Sequence, residues 1–503
     1  MLKAARNQLV INGIAFALLI GTGATSAGAQ QQETYNYHSL TGEIVARGTQ
    51  ALKLCNGIFT SGRTIDQVYA QELDGMGEMV PQSRVTVDQR VKAVAVGVGG
   101  NDHVPAMRSA FREGFGCVVM APDQSFDDID KLPILKTPPL PGDAATIPWP
   151  NGDRVEKKAL PSNVSAAALD AAGNWALDRV AHGGHQGQVT LSLLVVHRGD
   201  IVYERYAPGF SMNTRTRTWS TAKSITSTLV GIAVARGLLA LDKPLPFAWL
   251  PDEEQTAPDP RKKITLRNVL NMSTGLYPVD DEYEEAIGSH LSYFGGWNAS
   301  YHARDRGMIS EPGTVFNYEN YDTLLGVLAL RAVLGDEKTY HEFPRSALFD
   351  KIGMRNTMPG VDRFGNYILS SQVYTNARDL ARLGLLYLNR GKWGSEQILP
   401  ESWVDFVRTP APTTRATGNQ YGGHWWLVPD NRTDLPQDAY STSGARGQFT
   451  IVVPSYDLVI VRRGLDWRQG GRGLSQWDLL AEVIKAFPGR QGGLKQGAAA
   501  RVP

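Results

Sequence analysis

The sequence predicts an α/β fold in which an antiparallel sheet is flanked by helices, with an all-helical region and a small N-terminal mixed α/β extension. Three features after residue 162 indicate this fold: a strand-rich hairpin at the start, several helical segments in the middle, and two apolar strands near the end. Strands at both ends of a segment with helices between them favour a sandwich whose sheet joins the two ends.

Local patterns predict each element of this region in turn. Residues 191–206 contain two β-rich runs around His197-Arg-Gly-Asp200, which is typical of an antiparallel hairpin. Residues 220–236 should form a helix, because apolar residues recur at helical spacing and Gly237 follows the last turn. The later elements are helices at 321–333 and 377–388, strands at 448–453 and 458–462, and a last helix at 477–487.

Composition shifts divide the chain into five parts. We expect a signal peptide at 1–29, the N-terminal extension at 30–131, a Pro-rich connector along the surface at 132–161, the main body at 162–488, and a disordered tail at 489–503. No internal repeat is visible.

The first 29 residues have the layout of a secretory signal. Lys3 and Arg6 precede an apolar stretch at 9–20, and Ala27-Gly28-Ala29 suggests cleavage before Gln30. The alternative is an uncleaved membrane anchor, but the apolar stretch is short for a span. We therefore expect a periplasmic or secreted protein without stable membrane insertion after cleavage.

Charge and cysteine content exclude several classes of protein. The chain has 51 Lys and Arg against 50 Asp and Glu, a formal net charge of +1, which argues against a dedicated nucleic-acid binder.

Two cysteines exclude a disulfide-dense scaffold and any four-cysteine metal site. In an oxidising compartment Cys55 and Cys117 can pair; the alternative is two buried free thiols. The nine histidines show no metal-ligand spacing, so we expect neither a metal nor another cofactor.

An S-x-x-K motif at the start of the predicted helix 220–236 is the first candidate for chemistry. Ser220 and Lys223 lie three positions apart, so they share one helix face. The helix N-terminus favours a developing anion at the serine, and a partly desolvated lysine can accept the serine proton. Taken alone, the motif is better interpreted as a capping serine followed by a solvated lysine.

Two further motifs follow in the chain. Tyr318 and Asn320 form Y-x-N; a tyrosine near a lysine can have a lowered proton affinity, and Asn320 could hold Lys223 and a substrate carbonyl. The alternative is a buried tyrosine beside a turn asparagine. Residues 442–449 lead into a strand, and a small-residue edge strand there would let a substrate approach and supply a second oxyanion N–H.

These motifs, in this order, resemble the serine β-lactamase and penicillin-binding protein superfamily, in particular its class C β-lactamase-like esterase and 6-aminohexanoate-dimer hydrolase branch. The resemblance covers about 165–488. It implies that Ser220 is the nucleophile, Lys223 its base, and Tyr318 the proton relay that also activates the deacylating water. It also implies that Asn320 binds the substrate and that the backbone N–H groups of Ser220 and Ala445 form the oxyanion hole.

The third motif departs from the family pattern. The family has K-T-G or H-x-G, whereas this sequence has Thr442-Ser443-Gly444, and Arg446 is the nearby cation that could bind substrate. In the family a cation in this motif helps to bind a substrate carboxylate, so its absence here favours an esterase or amidase acting on a small substrate, and the N-terminal pattern predicts that this enzyme is exported. A true β-lactamase or D-Ala peptidase and a non-catalytic binding protein on the same fold remain alternatives, and the oligomeric state stays open.

Other polar residues receive structural interpretations. His424 could belong to a Ser-His-Asp triad, but no G-x-S-x-G elbow occurs, so we expect a pocket-wall or structural role. The acidic run 280–285 should be a solvated loop or helix start. Arg215 and Arg217 could attract an anionic substrate, although surface arginines are more often simply solvated.

Overall fold

The computed structural model describes residues 37–73, 79–99, 103–156, 158–251, 259–280, 288–418, 420–466 and 473–487. The predicted signal peptide and tail lie outside these residues. Positions 281–287, which include all of the acidic run 280–285 except Asp280, also lie outside them. From His38 onward the chain forms one compact unit that contains both the extension and the main body. Among the described residues, no helix is long and apolar enough to cross a membrane.

The N-terminal extension is a small mixed α/β unit. Its four strands form an antiparallel sheet in sequence order. A disulfide joins Cys55, the last residue of the first helix, to Cys117 in the fourth strand, across a sequence separation of 62. The elements are α1 (Tyr37–Cys55), α2 (Ile65–Val68), β1 (Val85–Asp88), β2 (Ala93–Val96), β3 (Met107–Arg112) and β4 (Gly116–Val119).

The strands of the main body form a large sheet and two small ones. The large sheet has the order β12-β13-β14-β15-β16-β5-β6, so strands from both ends of the body pair with each other, which confirms the predicted topology. The strands are β5 (Thr190–His197), β6 (Asp200–Tyr206), β7 (Thr216–Arg217), β8 (Met358–Pro359), β9 (Val373–Thr375), β10 (Lys392–Trp393), β11 (Glu396–Gln397), β12 (Gln420–Gly422), β13 (Trp425–Leu427), β14 (Tyr440–Gly444), β15 (Gln448–Val453) and β16 (Leu458–Gly464).

The helices of the body lie between and around these strands, close to the predicted positions. They are α3 (Ala166–Leu177), α4 (Thr221–Ala235), α5 (Leu266–Leu270), α6 (Ser289–Phe294), α7 (Ala299–Arg304), α8 (Asn320–Leu334), α9 (Glu337–Pro344), α10 (Ala377–Leu388), α11 (Glu401–Val407) and α12 (Gln476–Ile484). Short 3-10 or π-helical turns occur at Asn56–Thr60, Tyr69–Leu73, Gln82–Arg84, Phe126–Lys131, Pro260–Lys263, Arg345–Phe349, Pro412–Thr417 and Pro454–Tyr456.

The large sheet is covered by helices on both faces. All eight positions of β5 are buried. Val195 belongs to a core cluster with side chains of α3 and α12, while its neighbours Leu194 and Val196 belong to the cluster that contains α4, α8 and α10. Alternate side chains of a strand point to opposite faces, so the apolar run of β5 reflects burial on both sides.

The predicted edge strand is an edge only over residues 442–444. As a whole, β14 lies inside the sheet, because it pairs with β13 on one side and with β15 on the other. Its pairing with β13 involves only Tyr440 and Ser441, whereas its pairing with β15 continues to Gly444. The last residues of β14 therefore extend past β13 toward the start of α4.

The connector between the extension and the body carries no helix or strand in its described residues, which are 132–156 and 158–161. Arginines of the body bind its backbone carbonyls. Arg382 Nε donates to Pro150 O at 2.7 Å, Arg378 Nη1 donates to Asp153 O at 2.6 Å, and Arg355 Nη1 donates to Leu140 O at 3.0 Å. The connector is thus fixed to the body along its length.

Candidate active site

Ser220 lies immediately before α4 and does not act as a helix cap. Its side chain makes no capping hydrogen bond, which argues against the interpretation of the motif as a capping serine. The preceding residue, Trp219, has a φ of 51°, an uncommon conformation for a bulky residue that costs about 1–3 kcal/mol and requires support from its surroundings. The Arg217 guanidinium stacks on the Trp219 ring, 3.8 Å from its centroid. The tight turn thus presents the Ser220 hydroxyl at the helix start.

Lys223 is almost completely buried, with 1% of its surface exposed. Its Nζ lies 3.2 Å from Ser220 Oγ, 2.5 Å from Asn320 Oδ1 and 3.0 Å from the backbone oxygen of Ser370. Burial lowers the pKa of Lys223 to about 7. A neutral amine can donate its two N–H groups to Asn320 and Ser370, which leaves its lone pair to accept the Ser220 proton.

A carboxyl pair lies behind Asn320. Asn320 Nδ2 donates to Asp280 Oδ2 at 2.8 Å and to Ser289 Oγ at 3.1 Å. Burial and the neighbouring Asp280 raise the pKa of Glu319 well above its usual value. Burial also acts to raise the pKa of Asp280, but hydrogen bonds from Glu319, Ser289 and Asn320 lower it to about 2. The pair therefore carries one negative charge, on Asp280, which fixes the Asn320 carboxamide with its oxygen toward Lys223.

Tyr318 is close to both Ser220 and Lys223. Its hydroxyl hydrogen-bonds Ser220, and Lys223 Nζ lies 4.9 Å from the centroid of its ring. The expectation that the lysine lowers the proton affinity of Tyr318 was wrong, because burial raises the pKa of its phenol despite the hydrogen bond to Ser220. Tyr318 thus keeps its proton in the resting site, whereas Lys223 is partly neutral near pH 7.

The hairpin β14–β15 packs directly against the start of α4. Thr221 Oγ1 donates to Gln448 O at 2.9 Å. A Cβ atom at Gly444 would lie 2.2 Å from Thr218 O and 3.1 Å from Thr221 N, so only glycine fits there. Ala445, the next residue, is exposed and lines a cavity of about 330 Å³ together with Ser220, Tyr318, Trp426, Arg446 and Leu474. The two backbone segments expected to supply the oxyanion hole therefore border one cavity.

Arg446 lines this cavity, but its guanidinium group is fully used by protein acceptors. Nη1 donates to Glu72 Oε2 at 3.2 Å and to Glu72 O at 3.4 Å. Nη2 donates to Gln71 O and Leu465 O, and Nε donates to Asp466 O. These five bonds account for the five N–H donors of a guanidinium group. Arg446 thus has no donor left for a substrate carboxylate in this structure.

His424 and Arg217 have structural surroundings. His424 is 2% exposed, and its ring nitrogens lie 3.2 Å from Thr323 Oγ1 and 3.2 Å from the Tyr421 hydroxyl. Burial lowers the pKa of His424 to about 3, so it stays neutral. Arg217 is buried and donates to Ser371 Oγ at 2.6 Å. Within the described part of the chain, no group of three or more His, Cys, Asp or Glu side chains is arranged to hold a metal ion.

Sequence reasoning missed three residues of this network: Asp280, Glu319 and Ser370. Asp280 begins the acidic run that we expected to be solvated, yet it lies half-buried against Asn320. Glu319 is the middle residue of Y-x-N, and an acidic residue inside that motif was the one signal that could have drawn attention to it. Ser370 contributes only a backbone oxygen, for which no sequence signal exists.

Comparisons with known proteins identify relatives of this chain. The family model described as Beta-lactamase matches residues 177–462. The chain is 24% identical over 293 residues to the 6-aminohexanoate-dimer hydrolase of Paenarthrobacter ureafaciens, covering 54% of this chain and 72% of that protein.

Two solved structures share the fold at low identity. A family VIII carboxylesterase has a TM-score of 0.50 at 14% identity and covers 64% of this chain and 98% of its own. EstCE1, a hydrolase with promiscuous acyltransferase activity, has a TM-score of 0.50 at 15% identity and covers 63% of this chain and 98% of its own. Since the family model spans more than half of the sequence, the chain belongs to the beta-lactamase family, whose members are serine hydrolases acting on esters, amides and β-lactams.

Proposed function

We propose that this protein hydrolyses ester or amide bonds of a small substrate through an acyl-enzyme on Ser220. The observation that carries the proposal is the environment of Lys223, whose buried Nζ lies 3.2 Å from Ser220 Oγ while Asn320 and Ser370 accept its other hydrogen bonds. A lysine with a pKa of about 7 is an effective general base near neutral pH. A binding protein would gain nothing from a buried, partly neutral lysine beside a serine whose side chain does not cap the helix.

Acylation begins when Ser220 Oγ attacks the substrate carbonyl and its proton moves to Lys223 Nζ. The oxyanion of the tetrahedral intermediate accepts hydrogen bonds from the backbone N–H groups of Ser220 and Ala445. Tyr318 donates its phenol proton to the leaving oxygen or nitrogen and regains a proton from the Lys223 ammonium. The bond to the leaving group breaks, and the neutral lysine is restored.

Deacylation repeats these steps with water in place of the serine hydroxyl. Lys223 takes a proton from the attacking water, and the same N–H groups stabilise the second oxyanion. When the intermediate collapses, its bond to Ser220 Oγ breaks and Tyr318 supplies the serine proton. Tyr318 then regains a proton from the Lys223 ammonium, and the carboxylic acid product leaves. The raised pKa of Tyr318 supports this role as donor, and the lowered pKa of Lys223 supports our proposal that Lys223 is the base for the water.

The cavity favours substrates without a carboxylate near the scissile bond. Tyr318, Trp426, Phe449 and Leu474 supply aromatic and apolar walls, and the donors of Arg446 are bound to protein acceptors. Burying a carboxylate without a cation is costly. Neutral esters and linear amides should therefore be better substrates than β-lactams or D-Ala peptides, which carry a carboxylate.

The test is covalent labelling together with a substrate panel. A fluorophosphonate should add to wild-type protein and not to Ser220→Ala, as measured by intact mass. Wild type should hydrolyse short p-nitrophenyl esters and linear amides faster than nitrocefin. Preferential nitrocefin hydrolysis would identify a β-lactamase, whereas the absence of any adduct and any turnover by folded protein would favour the binding protein.

We also propose that the protein is exported. The basic and apolar N-terminal residues suggest a signal peptide, and the disulfide between Cys55 and Cys117 is of a kind that persists in oxidising compartments. The mature protein recovered from outside the cytoplasm should begin at Gln30, as measured by N-terminal mass spectrometry. A product that retains residues 1–29 would contradict cleavage.

A further inference from the structure

The N-terminal extension contacts both backbone segments of the proposed oxyanion hole. Lys53, near the end of α1, places Nζ 5.4 Å from the ring centroid of Trp219, the residue before Ser220. Glu72, in the turn Tyr69–Leu73, binds Arg446, the residue after Ala445. The extension thus contacts the residue before Ser220 and the residue after Ala445, and Ser220 and Ala445 themselves supply the proposed N–H donors.

The contact with Arg446 fixes a short turn. Ala445, Arg446 and Gly447 link β14 to β15, and Arg446 adopts the left-handed conformation with a φ of 61°. Three of the five hydrogen bonds of its guanidinium group go to the extension: two to Glu72 and one to Gln71. A side chain held by five bonds strongly restricts its own backbone, and Ala445 is the adjacent residue. The position of the Ala445 N–H therefore depends on acceptors that lie in the extension.

Glu72 is the charge that makes this arrangement possible. It is 6% exposed, and Oε1 accepts from Arg63 Nη2 at 3.0 Å while Oε2 accepts from Arg446 Nη1 at 3.2 Å. Lys53 Nζ donates to its backbone oxygen at 3.2 Å. Buried charges require partners, and here one carboxylate pairs with two guanidinium groups, those of Arg63 and Arg446. Neutralising the carboxylate would leave Arg446 beside the Arg63 guanidinium without a counter-charge, and the two would repel each other.

We propose that Glu72 is a positioning residue for the oxyanion hole, acting through Arg446 on the Ala445 N–H, so that the extension forms part of the active centre. This inference rests on the proposed function. A positioning role differs from a purely stabilising role in its kinetic effect. Displacement of the Ala445 N–H weakens binding of the tetrahedral state and leaves binding of the planar substrate almost unchanged.

The test is Glu72→Gln, measured on a neutral p-nitrophenyl ester and on a boronic acid that forms a tetrahedral adduct with Ser220. Loss of a whole oxyanion donor costs about 10²–10³-fold in kcat, so its displacement should lower kcat by about 10–100-fold. We expect KM to stay within about twofold, and boronate affinity to fall in proportion to kcat/KM. The control is Glu204→Gln, which removes the carboxylate from a partly buried pair with Arg378 (2.7 Å) and should keep the wild-type kcat.

A folded Glu72→Gln variant with wild-type kcat and boronate affinity would overturn the proposal, as would an equal loss in Glu204→Gln. If Glu72→Gln does not fold, Arg446→Gln carries the same expectation, because Glu72 then keeps its partner Arg63. Failure of both variants to fold would assign Glu72 to stability alone and also overturn the proposal. If wild type itself neither turns over esters nor labels at Ser220, the proposed function fails first.

Discussion

The negative charge behind Asn320 should set the pH at which Lys223 becomes a base. Asp280 and Glu319 share one charge, so a single substitution lets the other carboxyl keep it. The informative perturbation is therefore the double variant Asp280→Asn, Glu319→Gln, which preserves shape and removes the charge. Without the carboxylate, the Lys223 ammonium loses an attractive partner, and its pKa should fall further below about 7.

The magnitude follows from the hydrogen-bond distances. Lys223 Nζ lies 2.5 Å from Asn320 Oδ1, and Asn320 Nδ2 lies 2.8 Å from Asp280 Oδ2. With the width of the carboxamide between them, the two charges are about 7 Å apart, which at an effective dielectric constant of about 20 gives about 2 kcal/mol. That energy corresponds to a change of about one to two pH units in the midpoint.

The assay is the pH profile of kcat/KM for a neutral ester, which reports groups of the free enzyme. Activity should rise as Lys223 loses its proton, with a wild-type midpoint near pH 7. In the double variant the midpoint should move to about pH 6 or below. Glu319→Gln alone keeps the charge on Asp280 and should not move it. Burial also lowers the pKa of Lys53 to about 7, so the variant Lys53→Met tests whether Lys53 rather than Lys223 sets the midpoint. An unmoved midpoint in the double variant, or a shift in Lys53→Met, would refute the reasoning.

Three further predictions concern the donor, the disulfide and the hairpin. Tyr318→Phe should lower kcat by about 10²–10⁴-fold in steady-state assays, since the leaving group loses its acid; an unchanged kcat would remove the phenol from the mechanism. Replacing Cys55 and Cys117 by serine should lower the free energy of unfolding by about 4 kcal/mol for a loop of 62 residues, measured by urea denaturation; an unchanged midpoint would contradict this. Gly444→Ala should reduce ester turnover at least tenfold in protein that circular dichroism shows to be folded, because its Cβ would lie 2.2 Å from Thr218 O; full activity would mean that the hairpin can shift freely.

Much of the fold could be predicted because its signals are local. The hairpin of β5 and β6 and the helix α4 follow from periodicity and turn residues within short windows. The pairing of Ser220 with Lys223 is likewise local, since it needs only the geometry of one helical turn. Ordered motifs then supplied Asn320, whose contact with Lys223 the structure shows at 2.5 Å.

The remaining features depend on tertiary contacts that no local pattern encodes. Lys223 binds the backbone oxygen of Ser370, 147 positions away. Arg446 was expected to face substrate, but its charge is bound by Glu72, 374 positions earlier in the chain. The proton affinity of Tyr318 follows from burial rather than from its lysine neighbour. Burial of polar groups is decided by the packing of distant segments, and a sequence window cannot report it.

The pairing of β5 with β16 also has a consequence for biosynthesis. Every residue of β5 is buried in the finished protein, but β16, the strand that pairs with it, is synthesised near the end of the main body. While the ribosome makes the intervening residues, β5 remains without its neighbour and exposes an apolar surface to chaperones. The hairpin of the proposed oxyanion hole also emerges late. A nascent chain therefore stays incompletely folded until most of it has been made, which is compatible with the export proposed above.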